Sequence, residues 1–275
     1  MNPSLHHRPG AVAGLRRAVG AFFLRDLRVS VSYRLPFLIE IVSTFVAVLT
    51  MFFVAKIVDP GLIPGGYFTF VVLGLALVAF LDAGVATVGA NLREEQLLGT
   101  LEATLGSGIP VGSLAAGMAA YPMVNATFSA VVFLLLSIPF GLSAPGANWP
   151  LMLVSTVVGV VAFVGIGLVG AAIVLVIRRA AGAIAWIVTA MTLVAGQLFP
   201  PELLPGWMKA LSALSPFTWC LRLVRGAAIE GWGWSRAWPA LGILCVQAVI
   251  YLGIGVASLA AGMRHARRAG TLGSY

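Results

Sequence analysis

Charged residues are scarce in this chain. They make up 9% of its 275 residues, whereas 60% of the residues are hydrophobic and the mean hydropathy is +1.02. A soluble domain of this length carries about a quarter of charged residues. Only two cysteines and three histidines are present, which excludes a disulfide-stapled secreted module and disfavours a metal site. The composition therefore predicts an all-α, polytopic membrane protein.

Negative charge is scarcer than positive charge. Nine Asp and Glu residues stand against 17 Lys and Arg, which gives a net charge of +8. In a membrane chain, segments rich in Arg and Lys remain on the cytoplasmic side, so this excess indicates orientation and not a nucleic-acid partner. Six arginines interrupt residues 1–36, so we predict no cleavable signal peptide there.

Long charge-poor runs predict six transmembrane helices, because crossing the hydrocarbon layer takes about 20 mostly apolar residues. Residues 103–177 carry no charge, and their Gly, Pro and Asn content at residues 141–150 predicts a turn between two spans. The six predicted spans are residues 37–55, 68–90, 115–140, 151–177, 181–199 and 237–263.

The distribution of cations predicts the orientation of these spans. With the N-terminus inside, the cytoplasmic segments hold twelve Arg and Lys residues and the outer segments hold five. This bias favours a multi-pass protein of the plasma (inner) membrane with both termini in the cytoplasm. The whole chain is then one transmembrane domain, with a leader (residues 1–36), a six-span core (residues 37–263) and a basic tail (residues 264–275).

Two segments outside the predicted spans are too apolar for ordinary loops. In the leader, Leu15, Val19 and Phe22 fall at helical spacing among arginines, which predicts an amphipathic helix on the inner leaflet, the alternative being a disordered basic leader. Residues 200–236 combine prolines with an apolar helical face that includes Trp207. We predict short re-entrant helices there, which dip in from outside and cap a pathway.

The loop after the second predicted span, residues 91–102, is acidic where cations are expected. Asn91 can cap a helix whose third position is Glu94, acids are favourable in a first helical turn, and Gly99 can end the helix. The pattern predicts a short helix along the membrane surface with its acids facing the cytoplasm. A docking partner would explain the negative patch.

Two motifs resemble those of one family. Glu94-Glu95 followed by Gly99-Thr100-Leu101-Glu102 resembles the coupling segment of type-2 ABC transporter permeases. Residues 198–207, followed by residues 214–217, resemble the family's segment between its fifth and sixth spans. The resemblance implies that two permease chains, identical or homologous, pair in the membrane and that each docks a separate ABC ATPase subunit.

The resemblance also implies roles for residues at the cytoplasmic face. Arg178 and Arg179 would form a secondary ATPase contact, although a dibasic stop is also what topology requires. No G-x-x-x-x-G-K-[ST] phosphate loop is present, so we expect no cofactor and no metal on this chain, and ATP with magnesium on the partner ATPase. The main ATPase contact would consist of Arg93, Glu94, Glu95, Leu98, Gly99, Thr100 and Glu102.

Two acids lie inside predicted spans, where a carboxylate is costly. Asp82 is a candidate substrate or proton contact, or an acid that reaches water or an arginine at the cytoplasmic end. Glu40 is expected to snorkel or to pair with an arginine near residues 28–34. Phe199, Trp207 and Phe217 are further candidates for the substrate pathway.

Glycines recur in the fourth and last predicted spans, where they permit close helix packing. These glycines are Gly159, Gly165, Gly167, Gly170, Gly253 and Gly255.

The favoured function is the permease subunit of an ATP-driven exporter of a hydrophobic or amphipathic substrate, such as a drug, a natural product or a lipid. Export of a lipid-linked polysaccharide is the main alternative. An ion-coupled secondary transporter that uses Asp82 is less favoured, because such proteins carry several intramembrane ionisable residues. A membrane-embedded lipid enzyme is also disfavoured, because the sequence shows no cluster of His, Asp or Ser with catalytic spacing.

Overall fold

The computed structural model describes residues 34–58, 63, 65–97, 111–176 and 181–268. Residues 1–33 of the predicted amphipathic leader lie outside these residues. A π-helical turn (Ala83–Thr87) joins the helix Tyr67–Asp82 to the helix Val88–Leu97, and two 3-10 turns lie at Ile138–Phe140 and Pro201–Leu203. The α-helices are α1 (Arg34–Ile57), α2 (Tyr67–Asp82), α3 (Val88–Leu97), α4 (Val111–Ser137), α5 (Trp149–Val176), α6 (Ala181–Val194), α7 (Gly206–Leu214), α8 (Pro216–Ile229) and α9 (Trp234–Arg268).

Five helical stretches are long and apolar enough to cross a membrane, which confirms the prediction of a multi-pass, all-helical membrane protein. They correspond to α1, to α2 continued through α3, and to α4, α5 and α9. Their apolar parts are Leu38–Ile57, Tyr67–Glu94, Ala116–Phe140, Trp149–Leu175 and Trp234–His265.

The segment predicted as the fifth span is shorter than expected. Residues 181–199 were predicted to span, but α6 has 14 residues, or about 21 Å of helix. Gly196 ends it with a φ of +72°, a conformation that favours glycine. The backbone N–H of Gly196 donates to Leu193 O at 3.2 Å, and that of Gln197 to Thr192 O at 3.3 Å, as at other glycine-terminated helices. Helix α6 alone is therefore too short for a layer of about 30 Å.

Helix α5 lies at the centre, and glycines set its distance from its neighbours. A Cβ atom on Gly165 would lie 2.5 Å from the backbone nitrogen of Leu252, and one on Gly255 would overlap the Gly165 carbonyl oxygen. On another side of α5, a Cβ on Gly167 would overlap the carbonyl oxygen of Gly84 in the π turn. Backbone therefore contacts backbone on two sides of α5, which confirms the prediction of close packing.

The other three glycines that were predicted to permit close packing have different surroundings. A Cβ on Gly159 would lie 2.7 Å from Cys220 Sγ, and one on Gly170 would lie 3.2 Å from Ile184 Cδ1. Gly253 faces open space, so the prediction of packing does not hold at that position.

The largest apolar core lies between α2, α5, α8 and α9. Phe163 of α5 and Phe217 of α8 are fully buried in it, with ring centroids 5.8 Å apart. Helix α1 is the least buried of the spans. Because lipid tails are as apolar as leucine, its exposed Leu, Ile, Val and Phe side chains can face the bilayer without penalty.

Asn148 fixes the arrangement at one end of the bundle. Its Oδ1 accepts from the N–H of Leu151 at 3.2 Å and caps α5, and its Nδ2 donates to Trp232 O at 3.0 Å. Its backbone N–H donates to Ala227 O at 2.9 Å. The turn at residues 141–148 and the segment at residues 195–236 therefore share one end, here called the hairpin end. The opposite end, where α3 and α5 terminate, is called the loop end.

Candidate functional site

At the loop end, the candidate coupling helix continues directly from the second span. The π turn holds one residue more than an α-helical turn, and within it Thr87 Oγ1 donates to Asp82 O at 3.3 Å. Helix α3 follows without a break, so the predicted helix start at Asn91 is wrong. No free first-turn N–H groups exist there to be capped, and Asn91 Nδ2 donates instead to Met118 O of α4 at 3.3 Å. Helix α3 is thus joined to both adjacent spans.

The two faces of α3 have different environments. Leu92 is 1% exposed and packs in a cluster with residues of α4, α5 and α9, whereas Glu94 is exposed. Arg93 is half-buried between them. Glu95 lies in α3, but its side chain is outside what the structure describes. The remaining predicted contacts, namely Leu98, Gly99, Thr100, Glu102, Arg178 and Arg179, also lie outside the described residues.

The two intramembrane acids have different surroundings. Asp82 is the last residue of α2 and is exposed beside the π turn. Glu40 accepts a hydrogen bond from Ser129 Oγ of α4. Snorkelling of Glu40, or its pairing with an arginine near residues 28–34, stays a prediction, because the arginine side chains there lie outside the described residues. The contact that the structure describes is this serine. A carboxylate that accepts a hydroxyl hydrogen bond recovers part of its lost hydration, so Glu40 connects α1 to α4.

A cavity of about 900 Å³ opens at the hairpin end, and α8 forms one of its walls. Trp219, Arg222, Arg225 and Ile229 line the cavity at spacings of three and four residues, the period of one helix face. The opposite face of α8, which carries Phe217, lies in the core. The charged residues that line the cavity are Glu202, Lys209, Arg222, Arg225, Glu230 and Arg236.

Arg225 is 8% exposed and is held by backbone oxygens. Its Nε donates to Phe70 O at 3.1 Å, one Nη to Gly196 O at 2.9 Å and the other to Gln197 O at 2.6 Å. The guanidinium carbon lies 3.4 Å from the centroid of the Phe70 ring, which is an attractive cation–π arrangement. At neutral pH the guanidinium remains charged.

Helix α7 is attached at its C-terminal end. Ala213 O accepts from Trp219 Nε1 at 2.8 Å and from Gln247 Nε2 at 3.0 Å, and Leu214 O accepts from Tyr251 OH at 2.8 Å. These donors satisfy carbonyl groups that a helix end leaves unpaired. The apolar face of α7 is exposed, since Trp207, Leu211 and Leu214 are 67%, 49% and 64% accessible.

The predicted pathway residues do not line the cavity. Phe217 is buried in the core, Trp207 lies on the exposed face of α7, and Phe199 lies in the turn after α6. That they contact substrate stays a prediction. Lys209, Arg222 and Arg225 were not predicted from the sequence as site residues, because they stood out there only as cations of the outer segments. Their signal was an Arg pair three residues apart in an apolar stretch.

The described residues contain no group of three or more His, Cys, Asp or Glu side chains that could hold a metal ion.

A comparison with known families identifies the chain. The sequence profile of the ABC-2 type transporter family matches residues 19–229, which include α1 to α8. No individual curated protein matches the sequence significantly. The resemblance to type-2 permeases is confirmed, and with it the assignment to a transport component instead of a catalytic one. The chain belongs to the ABC-2 type transporter family and is a multi-pass membrane permease of an ABC transporter.

Proposed function

We propose that this permease is the transmembrane subunit of an ATP-driven exporter. It pairs with a second permease chain, identical or homologous, and with two separate ATPase subunits that bind ATP and magnesium. The substrate is hydrophobic or amphipathic, such as a drug, a natural product or a lipid, and leaves across the plasma membrane. The observation that carries the proposal is the placement of α3, which presents Glu94 at the loop end and continues into the second span.

The contacts of α3 support a route for mechanical coupling. A force on Glu94 acts along the helix axis on α2, because only the π turn separates the two helices. The same force acts on α4 through the hydrogen bond from Asn91 to Met118. Leu92, buried among α4, α5 and α9, ties the helix to the bundle. Closure of the ATPases would therefore move several spans together.

We assign the loop end and both termini to the cytoplasm and the hairpin end to the outside. The cation bias of the sequence supports this orientation. In this topology α6 is a short span, the fifth of six in chain order, and α7 and α8 are re-entrant helices that complete the outer half of the layer. Non-helical backbone at membrane depth needs internal hydrogen-bond partners. Arg225 supplies two of them at Gly196 and Gln197.

The lining of the cavity supports an amphipathic substrate. Apolar and aromatic side chains, among them Ile63, Phe70 and Trp232, lie beside the charged groups. The lipid part of a lipid-linked polysaccharide would meet the same walls, so that cargo remains the alternative. Ion coupling through Asp82 is a second candidate mechanism, favoured only by the position of this acid beside a π turn, a feature frequent at functional sites.

The test reverses the charges of the coupling helix. We expect the double variant Glu94→Lys/Glu95→Lys to insert normally but to lose the co-purifying ATPase and ATP-dependent export, because like charges would then face the docking surface. Glu202→Lys, at the hairpin end, is the control and should keep the ATPase. Unchanged export by the double variant would refute the coupling role of α3.

A further inference from the structure

The cavity at the hairpin end has more positive than negative charge. Four cations and two acids line it, an excess of two positive charges: Lys209, Arg222, Arg225 and Arg236 against Glu202 and Glu230. Arg236 pairs with Glu230 at 3.0 Å. Within the described part of the chain, no carboxylate forms an ion pair with Lys209, Arg222 or Arg225. A cavity with this balance favours an anionic ligand.

Two guanidinium groups lie on the same wall. Arg222 and Arg225 are three residues apart on α8 and so share a face. Arg225 uses three of its five N–H groups on backbone oxygens. The other two have no acceptor among the described residues. Arg222 is exposed and lies over the Trp219 ring at 5.7 Å. Guanidinium groups recognise phosphate oxygens through paired hydrogen bonds, which a single ammonium group cannot do.

Helix α7 has two faces of different character. Its apolar face, with Trp207, Leu211 and Leu214, is exposed, whereas its Lys209 lines the cavity. An amphiphile beside α7 can therefore keep its tail against apolar surface while its headgroup reaches the cations. A free anion would gain nothing from that apolar surface.

We propose that the cavity at the hairpin end binds the phosphate headgroup of an anionic phospholipid, with Lys209, Arg222 and Arg225 as its cationic contacts. The site concerns binding by this chain alone, so it does not depend on export or on an ATPase. The lipid headgroup enters beside α7, where the Ser212 and Thr218 hydroxyls also line the cavity. These two hydroxyls are hydrogen-bonded to each other at 3.2 Å, so the pair leaves one O–H as a neutral donor.

The test is a calorimetric titration of the purified full chain in an uncharged detergent. Short-chain phosphatidylglycerol is the probe, and phosphatidylcholine of the same chain length and inorganic phosphate are the comparison ligands. We expect saturable binding of the anionic lipid and binding about tenfold weaker, or absent, for the other two. The variant Lys209→Gln/Arg222→Gln should bind phosphatidylglycerol about tenfold more weakly, because it loses two charge-assisted contacts.

The control variant Lys56→Gln/Arg264→Gln removes the same two charges from outside the cavity and should bind like the parent chain. An equal loss in both double variants would overturn the site in favour of overall charge. Equal affinity for phosphatidylcholine would show that charge is not recognised, and equal affinity for inorganic phosphate would replace the lipid with a free anion. If the double variant is not monodisperse, Lys209→Gln alone serves, since Lys209 is exposed.

Discussion

The backbone contact between α5 and α9 predicts opposite effects for two neighbouring glycines. In Gly255→Ala the new methyl group would overlap the carbonyl oxygen of Gly165, which is helix backbone and not the end of a flexible side chain. In Gly253→Ala, on the same helix, the methyl group would meet nothing within 4 Å. The two variants carry the same substitution on the same helix, so a difference in stability between them reports a difference in packing.

The expected magnitudes follow from these surroundings. Alanine in place of an interior helical glycine gains about 1 kcal/mol from helix propensity, and Gly253→Ala should approach that gain. Overpacking costs about 1–3 kcal/mol where side chains can shift. At Gly255 the obstacle is backbone, so α5 and α9 must separate and the contacts around the methyl group are lost. We expect Gly255→Ala to be less stable than Gly253→Ala by about 3 kcal/mol.

The assay is thermal denaturation in detergent, followed by the loss of monodisperse protein on size exclusion. A difference of about 3 kcal/mol corresponds to a midpoint roughly 6–12 °C lower for Gly255→Ala in a chain of this size. Parent protein and both variants are compared at the same detergent concentration. Equal midpoints for the two variants would refute the close contact of α5 with α9.

Two further predictions concern the hairpin end. Arg225→Met should destabilise the protein by about 2–4 kcal/mol, because Gly196 O and Gln197 O lose their donors while relief of guanidinium desolvation offsets part of the cost. The measurement is thermal denaturation of this variant, with Arg222→Met as the control because Arg222 is exposed on the same helix. Equal stability of the two variants would contradict the prediction. Cys220 is fully buried and its Sγ donates to Ser155 O, so it should resist an impermeant maleimide. A cysteine at exposed position 210 of α7 should react with this reagent from outside, and labelling from the cytoplasm alone would overturn the assigned orientation.

The sequence predicted the spans well because hydrophobic length is a local property. The runs around residues 37–55, 115–140 and 151–177 each became a long helix. The end of the fifth run was not predicted, because Gly196 adopts a positive φ within an otherwise apolar stretch and stops α6 early. Apolar composition gives the extent of a run but not the dihedral angle that interrupts it.

The error at Asn91 has a different cause. Asparagine is a good helix cap, but it also donates from within a helix when a neighbour offers a carbonyl group. The pairing with Met118, 27 residues along the chain, depends on how α3 lies against α4, which no local pattern specifies. The π turn that precedes it was likewise not predicted.

The cavity was the least predictable feature. In the sequence, Lys209 and Arg222 are typical of loop cations, because prolines divide residues 200–236 into short segments. Only the docking of α7 and α8 against α2 and α9 turns these cations toward a shared space. The Arg225 contacts join Phe70 to a residue 155 positions later, a separation at which sequence periodicity carries no information.

The attachment of α7 to α9 has a mechanical consequence. Helix α9 has 35 residues and is about 50 Å long, so a tilt with the backbone contact at Gly255 as its fulcrum would move the two ends of α9 in opposite directions. Gln247 lies about 12 Å from that fulcrum along the axis, and the Arg268 end lies about 20 Å away on the other side. A tilt of about 10° would displace Gln247 and Tyr251 by roughly 1–2 Å, enough to break hydrogen bonds that require donors near 3 Å. The hydrogen bonds that hold α7 at the hairpin end are thus sensitive to small rotations imposed on α9 at the loop end.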